Sequence, residues 1–115
     1  YVAMDIKAPL TKEKYEIACG TGFDVEKIKE SIAIIKNSGI EYEFRTTVVS
    51  GIHTKEDIIE IANEIAPANK YFIQRFRGEK GTINSKFENA MPFPDEFYKE
   101  IEDNIKGLFK IFKIR

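Results

Sequence analysis

The pattern that most limits the fold of this chain is a threefold alternation between stretches with the period of a strand and stretches with the period of a helix. Residues 1–7, Tyr-Val-Ala-Met-Asp-Ile-Lys, read as a strand that sends Val2, Met4 and Ile6 to one face and Asp5 and Lys7 to the other. A polar loop is expected over residues 8–23, with Pro9 and the Gly20-Thr21-Gly22 turn signal. Asp24 then caps a helix whose Val25, Ile28, Ile32 and Ile35 recur at helical spacing, and Asn37-Ser38-Gly39 stops it. The plan repeats. Residues 42–49 are β-branched and aromatic, residues 50–53 form the outgoing loop, and Thr54 with Asp57 forms a capping box. Ile58, Ile61, Ala62 and Ile65 supply the apolar stripe of the second helix, and Pro67 ends it. A third strand is expected over residues 70–76, followed by a long polar loop over 77–91. Pro92-Phe93-Pro94-Asp95 then introduces a helix with Phe97, Ile101, Ile105 and Leu108 on one stripe. The tail, residues 109–115, reads as a last strand with Phe109 and Ile111 on one face and Lys110 and Phe112 on the other.

Strands that alternate with helices build right-handed βαβ units around a parallel sheet. The fold class expected is therefore α/β, with residues 1–115 as one unit of three to four parallel strands and the helices on one face. Three units are too few to close an eightfold barrel, so the unit reads as part of one. The chain opens inside a strand without an initiator methionine, which suggests a piece of a longer protein.

Bulk properties exclude several classes. A formal net charge of −1 lacks the basic excess of a nucleic-acid surface. No apolar run approaches the roughly 18 residues of a membrane span, and the start does not look like a signal peptide. The cytoplasm is the default expectation. The single cysteine, Cys19, rules out an internal disulfide or a multi-cysteine metal site within this chain, and it reads as a small, half-buried loop residue.

Charged residues inside parallel strands are costly unless they are paired or face a polar cavity. Asp5 and Lys7 in the first strand, Arg45 in the second, and Gln74 and Arg75 in the third all lie toward C-terminal strand ends, with Arg77 just beyond. Parallel α/β folds bind their ligands at those ends. Two readings stay open: an Asp5–Lys7–Arg45 network of purely architectural value, or cations and amides that hold a polar ligand such as a carboxylate or ribose. His53 reads as a capping or solvated loop residue rather than a catalytic one.

The order of these motifs resembles a known family. Val2-Ala3-Met4-Asp5-Ile6-Lys7 is similar to the "hydrophobic–Asp–hydrophobic–Lys" strand of radical S-adenosylmethionine activating enzymes. Phe44-Arg45-Thr46-Thr47-Val48-Val49-Ser50-Gly51 resembles their "R-x-x-V-V-P-G" strand and loop, with Ser50 in place of the usual proline. Residues 71–77 resemble the next strand, and the likeness is strongest to activators of anaerobic ribonucleotide reductase and pyruvate formate-lyase. The resemblance implies a partial (β/α)6 TIM-like barrel, of which this chain supplies the C-terminal half. It implies that Asp5, Lys7 and Arg45 contact S-adenosylmethionine or organise its pocket, with Lys7 and Arg45 toward the methionyl carboxylate. Gln74 and Arg77 are the corresponding candidates near the ribose.

The family's three-cysteine loop, which holds a [4Fe–4S] cluster, is absent, as is its glycine-rich segment. The resemblance therefore implies that S-adenosylmethionine and the cluster belong to the parent protein, and that this piece alone binds neither and is inactive. The parent would use a 5′-deoxyadenosyl radical to abstract hydrogen from a backbone glycine of a glycyl-radical enzyme such as anaerobic ribonucleotide reductase. Partners expected are the N-terminal half of the same protein and that enzyme, with no nucleic acid and no membrane. The alternative is a stand-alone α/β binding or assembly module without catalysis, self-associating through an apolar open sheet face.

Overall fold

The structure is a computed structural model and describes residues 1–75 and 93–115. Among these, the elements run β1 (Val2–Asp5), α1 (Lys12–Cys19), α2 (Val25–Lys36), β2 (Tyr42–Val48), α3 (Lys55–Ile65), β3 (Ala68–Arg75), α4 (Asp95–Ile105), a short 3-10 turn (Lys106–Leu108) and β4 (Phe109–Ile114). Phe76 and the expected loop over 77–91 lie outside the described residues.

The four strands form one sheet in sequential order, β1-β2-β3-β4, and every neighbouring pair is parallel. Sequential order without a reversal is the pattern of a barrel wall, whereas a doubly wound sheet reverses direction at a switch point. The α/β class and the strand count match the sequence expectation.

Local chemistry explains the helix boundaries. The Asp24 carboxylate accepts from the Glu26 and Lys27 amides at the start of α2. After α2, Gly39 takes φ 77°, a left-handed conformation that costs glycine little. At α3, Thr54 and Asp57 make both halves of a capping box. Pro94 opens α4 without a side-chain cap, and Asp95 and Glu96 place negative charge in its first turn.

The stretch read as a loop over 8–23 contains α1 instead. Thr11 accepts from the Lys14 amide as N-cap, and Tyr15, Ala18 and Cys19 fall at helical spacing against the core. Lys14 ties the helix to α3 through Asp57 at 2.6 Å. Glycines and one proline signalled irregular backbone, but the cap and three inward residues suffice for two turns once α3 lies alongside. β3 also begins two residues earlier than expected, at Ala68.

The described helices contribute to a core on one face of the sheet. Phe44, Val48, Tyr71 and Ile73 from the strands meet Ile58, Ile61, Ile65, Ile101 and Ile105 from the helices, all with at most 1% of their surface exposed. The other face presents Asp5, Glu43, Arg45, Thr47, Lys70 and Gln74. Among the described residues this face is mostly polar and largely self-paired, with Phe72 and Ile111 as its apolar members.

Candidate functional site

β1 ends beside Arg45 of β2, which runs on to Val48, and the last paired residues of the two strands are Asp5 and Arg45. Their side chains leave the sheet on the face turned away from the helical core. Arg45 Nε donates to Asp5 Oδ1 at 3.1 Å, with side-chain exposures of 32% and 50%. Nε alone of the guanidinium is engaged in this pair, which leaves its terminal nitrogens for another acceptor. Two residues further along β2, Thr47 Oγ1 bonds Gln74 Oε1 of β3 at 3.3 Å.

Beyond these pairs lies a cavity of about 400 Å³, lined by Asp5, Lys7, Cys19, Phe23, Thr47 and Val49 among others. Asp5, Lys7 and Thr47 give its lining polar groups, and Ala18, Phe23, Val49 and Ile52 give it apolar ones. Such a volume, apolar-walled with a few convergent polar groups, is that of a small-molecule pocket. It sits at the C-terminal strand ends, where parallel α/β sheets bind ligands.

The structure thus separates the expected site residues. Asp5 and Lys7 line the cavity directly, Arg45 joins it through Asp5, and Gln74 through Thr47. Lys7 takes no part in the Asp5–Arg45 pair, and among the described residues it has no ion-pair partner. Arg75 turns to the helix side instead, over the Tyr98 ring at 4.7 Å and 3.6 Å from Asp95. Strand alternation puts it there, because it pairs with inward-facing Val48. Arg77 lies outside the described residues.

Two expectations for this region are corrected. His53 is neither a cap nor solvated: it is buried, with 7% of its surface exposed. The Val49 amide donates to its Nδ1 at 2.9 Å, and its Nε2 lies 2.8 Å from the Lys7 carbonyl. Burial lowers its pKa from the ordinary 6.5, outweighing the raising effects of the bond to Lys7 and the nearby Asp57 carboxylate. Cys19 belongs to the end of α1, not to a loop. Burial pushes its thiol pKa up, with Lys7 acting in the opposite sense, so the protonated form is favoured. Thr47 was legible, two residues from Arg45 on one strand face; Phe23 carried no signal, since its place depends on the unforeseen α1.

Fold and site together define an α/β protein of barrel-wall type with a cavity at the mouth of its first two strands. The chain is 34% identical over 100 residues to a curated protein of Methanocaldococcus jannaschii, "Putative glycyl-radical enzyme activating enzyme", and the match covers 84% of this chain. The likeness to such activating enzymes read from the strand motifs therefore extends over most of the sequence. The chain spans about 40% of the length of that relative. No family model matches the chain, and no solved structure matches it. Among the described residues no helix is long and apolar enough to cross a membrane.

The groups that the family would imply fit unequally. The cavity lining includes the groups that S-adenosylmethionine would need, a carboxylate, an ammonium and a hydroxyl for its amino-acid end and apolar side chains for its adenosine. A [4Fe–4S] cluster does not fit this chain, because one cysteine cannot replace three thiolates.

Proposed function

We propose that this chain is part of an activating enzyme for a glycyl-radical enzyme and forms one wall of its S-adenosylmethionine pocket. The observation that carries the reading is the cavity where Asp5 and Lys7 converge at the end of β1, with Arg45 alongside. In it, Lys7 donates to the methionyl carboxylate, a charge-assisted bond in a partly enclosed site. Arg45 adds its terminal nitrogens to the same acceptor or holds Asp5 in place. Asp5 accepts from the α-amino group. Phe23, Val49 and Ile52 shield the adenosine from water.

When bound beside a cluster held by residues outside this chain, S-adenosylmethionine supplies the hydrogen-abstracting chemistry that leaves a radical on a glycine of the partner enzyme. This chain's residues bind and orient. The activated partner is a glycyl-radical enzyme, of which anaerobic ribonucleotide reductase is one kind.

The test is S-adenosylmethionine binding by calorimetry in the full-length protein. Lys7→Met is expected to weaken binding by about 1–3 kcal/mol, the range for loss of a charge-assisted hydrogen bond, with the melting temperature nearly unchanged. Unchanged affinity with a lower melting temperature would show that Lys7 is architectural and overturn the reading.

A further inference from the structure

Past the last strand pair, β1 is held by side chains from three other parts of the chain. The Ile6 amide makes one more sheet-like bond, to the Arg45 carbonyl at 2.7 Å. After that, the Ile6 carbonyl accepts from the Thr46 hydroxyl of β2 at 2.7 Å. The Lys7 amide donates to the Tyr15 phenol oxygen of α1 at 3.0 Å. The Lys7 carbonyl meets Nε2 of His53, from the loop after β2, at 2.8 Å. Tyr15, Thr46 and His53 are all buried. Both backbone groups of Lys7 are therefore clamped, while its side chain is exposed and lines the cavity.

The imidazole fits this task in one tautomer. Because the Val49 amide donates to Nδ1, that nitrogen carries the lone pair, so Nε2 bears the hydrogen and donates to the Lys7 carbonyl. One ring thus bridges the exits of β1 and β2, which the sheet itself no longer joins.

We propose that Tyr15 and His53 are positioning residues that fix the backbone of Lys7 and so aim its ammonium into the pocket. This rests on the reading that the pocket takes S-adenosylmethionine through Lys7. A strand exit needing only satisfied backbone groups could leave them to water. Here they are taken by two buried side chains from separate elements, at the one cavity residue whose charge has no ion-pair partner among the described residues. A long flexible stem gains direction chiefly from a fixed root.

The experiment is a set of double-mutant cycles on S-adenosylmethionine binding in the full-length protein. Tyr15→Phe and His53→Gln are each expected to weaken binding about threefold to tenfold, as loss of one supporting hydrogen bond does. In a Lys7→Met background neither should weaken it further. Equal losses in both backgrounds, or no loss in either, would overturn the proposal. Should Lys7→Met alone leave binding unchanged, the pocket reading fails first and the positioning role falls with it. Amide hydrogen exchange at Lys7 without ligand tests the clamp separately: Tyr15→Phe should speed it, and unchanged exchange would count against the clamp. Tyr15→Phe removes a single oxygen, so the cycle stays readable even if His53→Gln fails to fold.

Discussion

The two faces of the sheet are made by alternate residues of the same four strands, yet they do different work. Along β2, Tyr42, Phe44, Thr46 and Val48 turn to the helices, while Glu43, Arg45 and Thr47 turn away. The helix face is close-packed and apolar. The open face is a set of polar couples: Tyr1 with Glu43 at 2.6 Å, Glu41 with Lys70 at 3.2 Å, Asp5 with Arg45 at 3.1 Å and Thr47 with Gln74 at 3.3 Å. Phe72, its buried aromatic, lies under the Arg115 guanidinium at 3.8 Å. The comparison teaches that folding free energy is concentrated on one face, which leaves the other free to carry chemistry. Lys7 stands at the border, with its backbone gripped by buried residues and its charge on the open side.

The largest effect should come from breaking the packed face. Phe44 is fully buried and stacks obliquely on Tyr42 with centroids 5.3 Å apart. Phe44→Ala should cost about 3–5 kcal/mol in urea denaturation, the usual loss for a large core aromatic. Its chain neighbour on the other face, Arg45→Ala, should stay within about 1 kcal/mol. Comparable losses at the two positions would erase the distinction between the faces.

A middle effect is expected where the packed face makes its polar exception. Tyr71 donates to the Thr46 hydroxyl at 2.6 Å, and that hydroxyl donates to the Ile6 carbonyl. Burial holds the Tyr71 phenol pKa well above its ordinary value, against the lowering by Thr46, so it stays a donor. Thr46→Val keeps the volume but strips both groups of this partner, for an expected loss of about 1–3 kcal/mol. A neutral result would mean that water or a shifted backbone replaces the chain, and that the exit of β1 is looser than its bonds suggest.

Most of the packed face was legible in the sequence, because burial there follows period 2 in strands and period 3.6 in helices. Val25, Ile32, Ile58, Ile61, Ile65 and Ile101 were named from spacing alone and are all buried. The open face was legible only as residue types. That Asp5 and Arg45 pair could be suspected from adjacent strands, but that Lys7 is left out depends on where β1 stops pairing. His53 was misread because a polar residue in a loop beside a helix cap is usually solvated. Here it bonds the backbones of Val49 and Lys7 instead, while the nearby α1 was hidden behind Pro9 and two glycines. The missed pocket residues Cys19 and Phe23 trace to that helix, since a short helix with little intrinsic stability is stabilised by tertiary contacts that local sequence does not display.

The smallest effect is the most informative about the open face. The Asp5–Arg45 pair is half-exposed and joined through one guanidinium nitrogen, so a cycle of Asp5→Asn, Arg45→Gln and the double variant should give a coupling below about 1 kcal/mol, shrinking as salt is added. A coupling above about 2 kcal/mol would make the pair part of the architecture and return the open face to the same role as the packed one. A weak pair fits a binding site better, because a ligand carboxylate or amine can exchange with it at small cost while the strands beneath stay in register. On the proposed reading, in which S-adenosylmethionine competes for the same atoms, adding it to the full-length protein should change the measured coupling, whereas on the packed face it should leave the cost of Phe44→Ala unaltered.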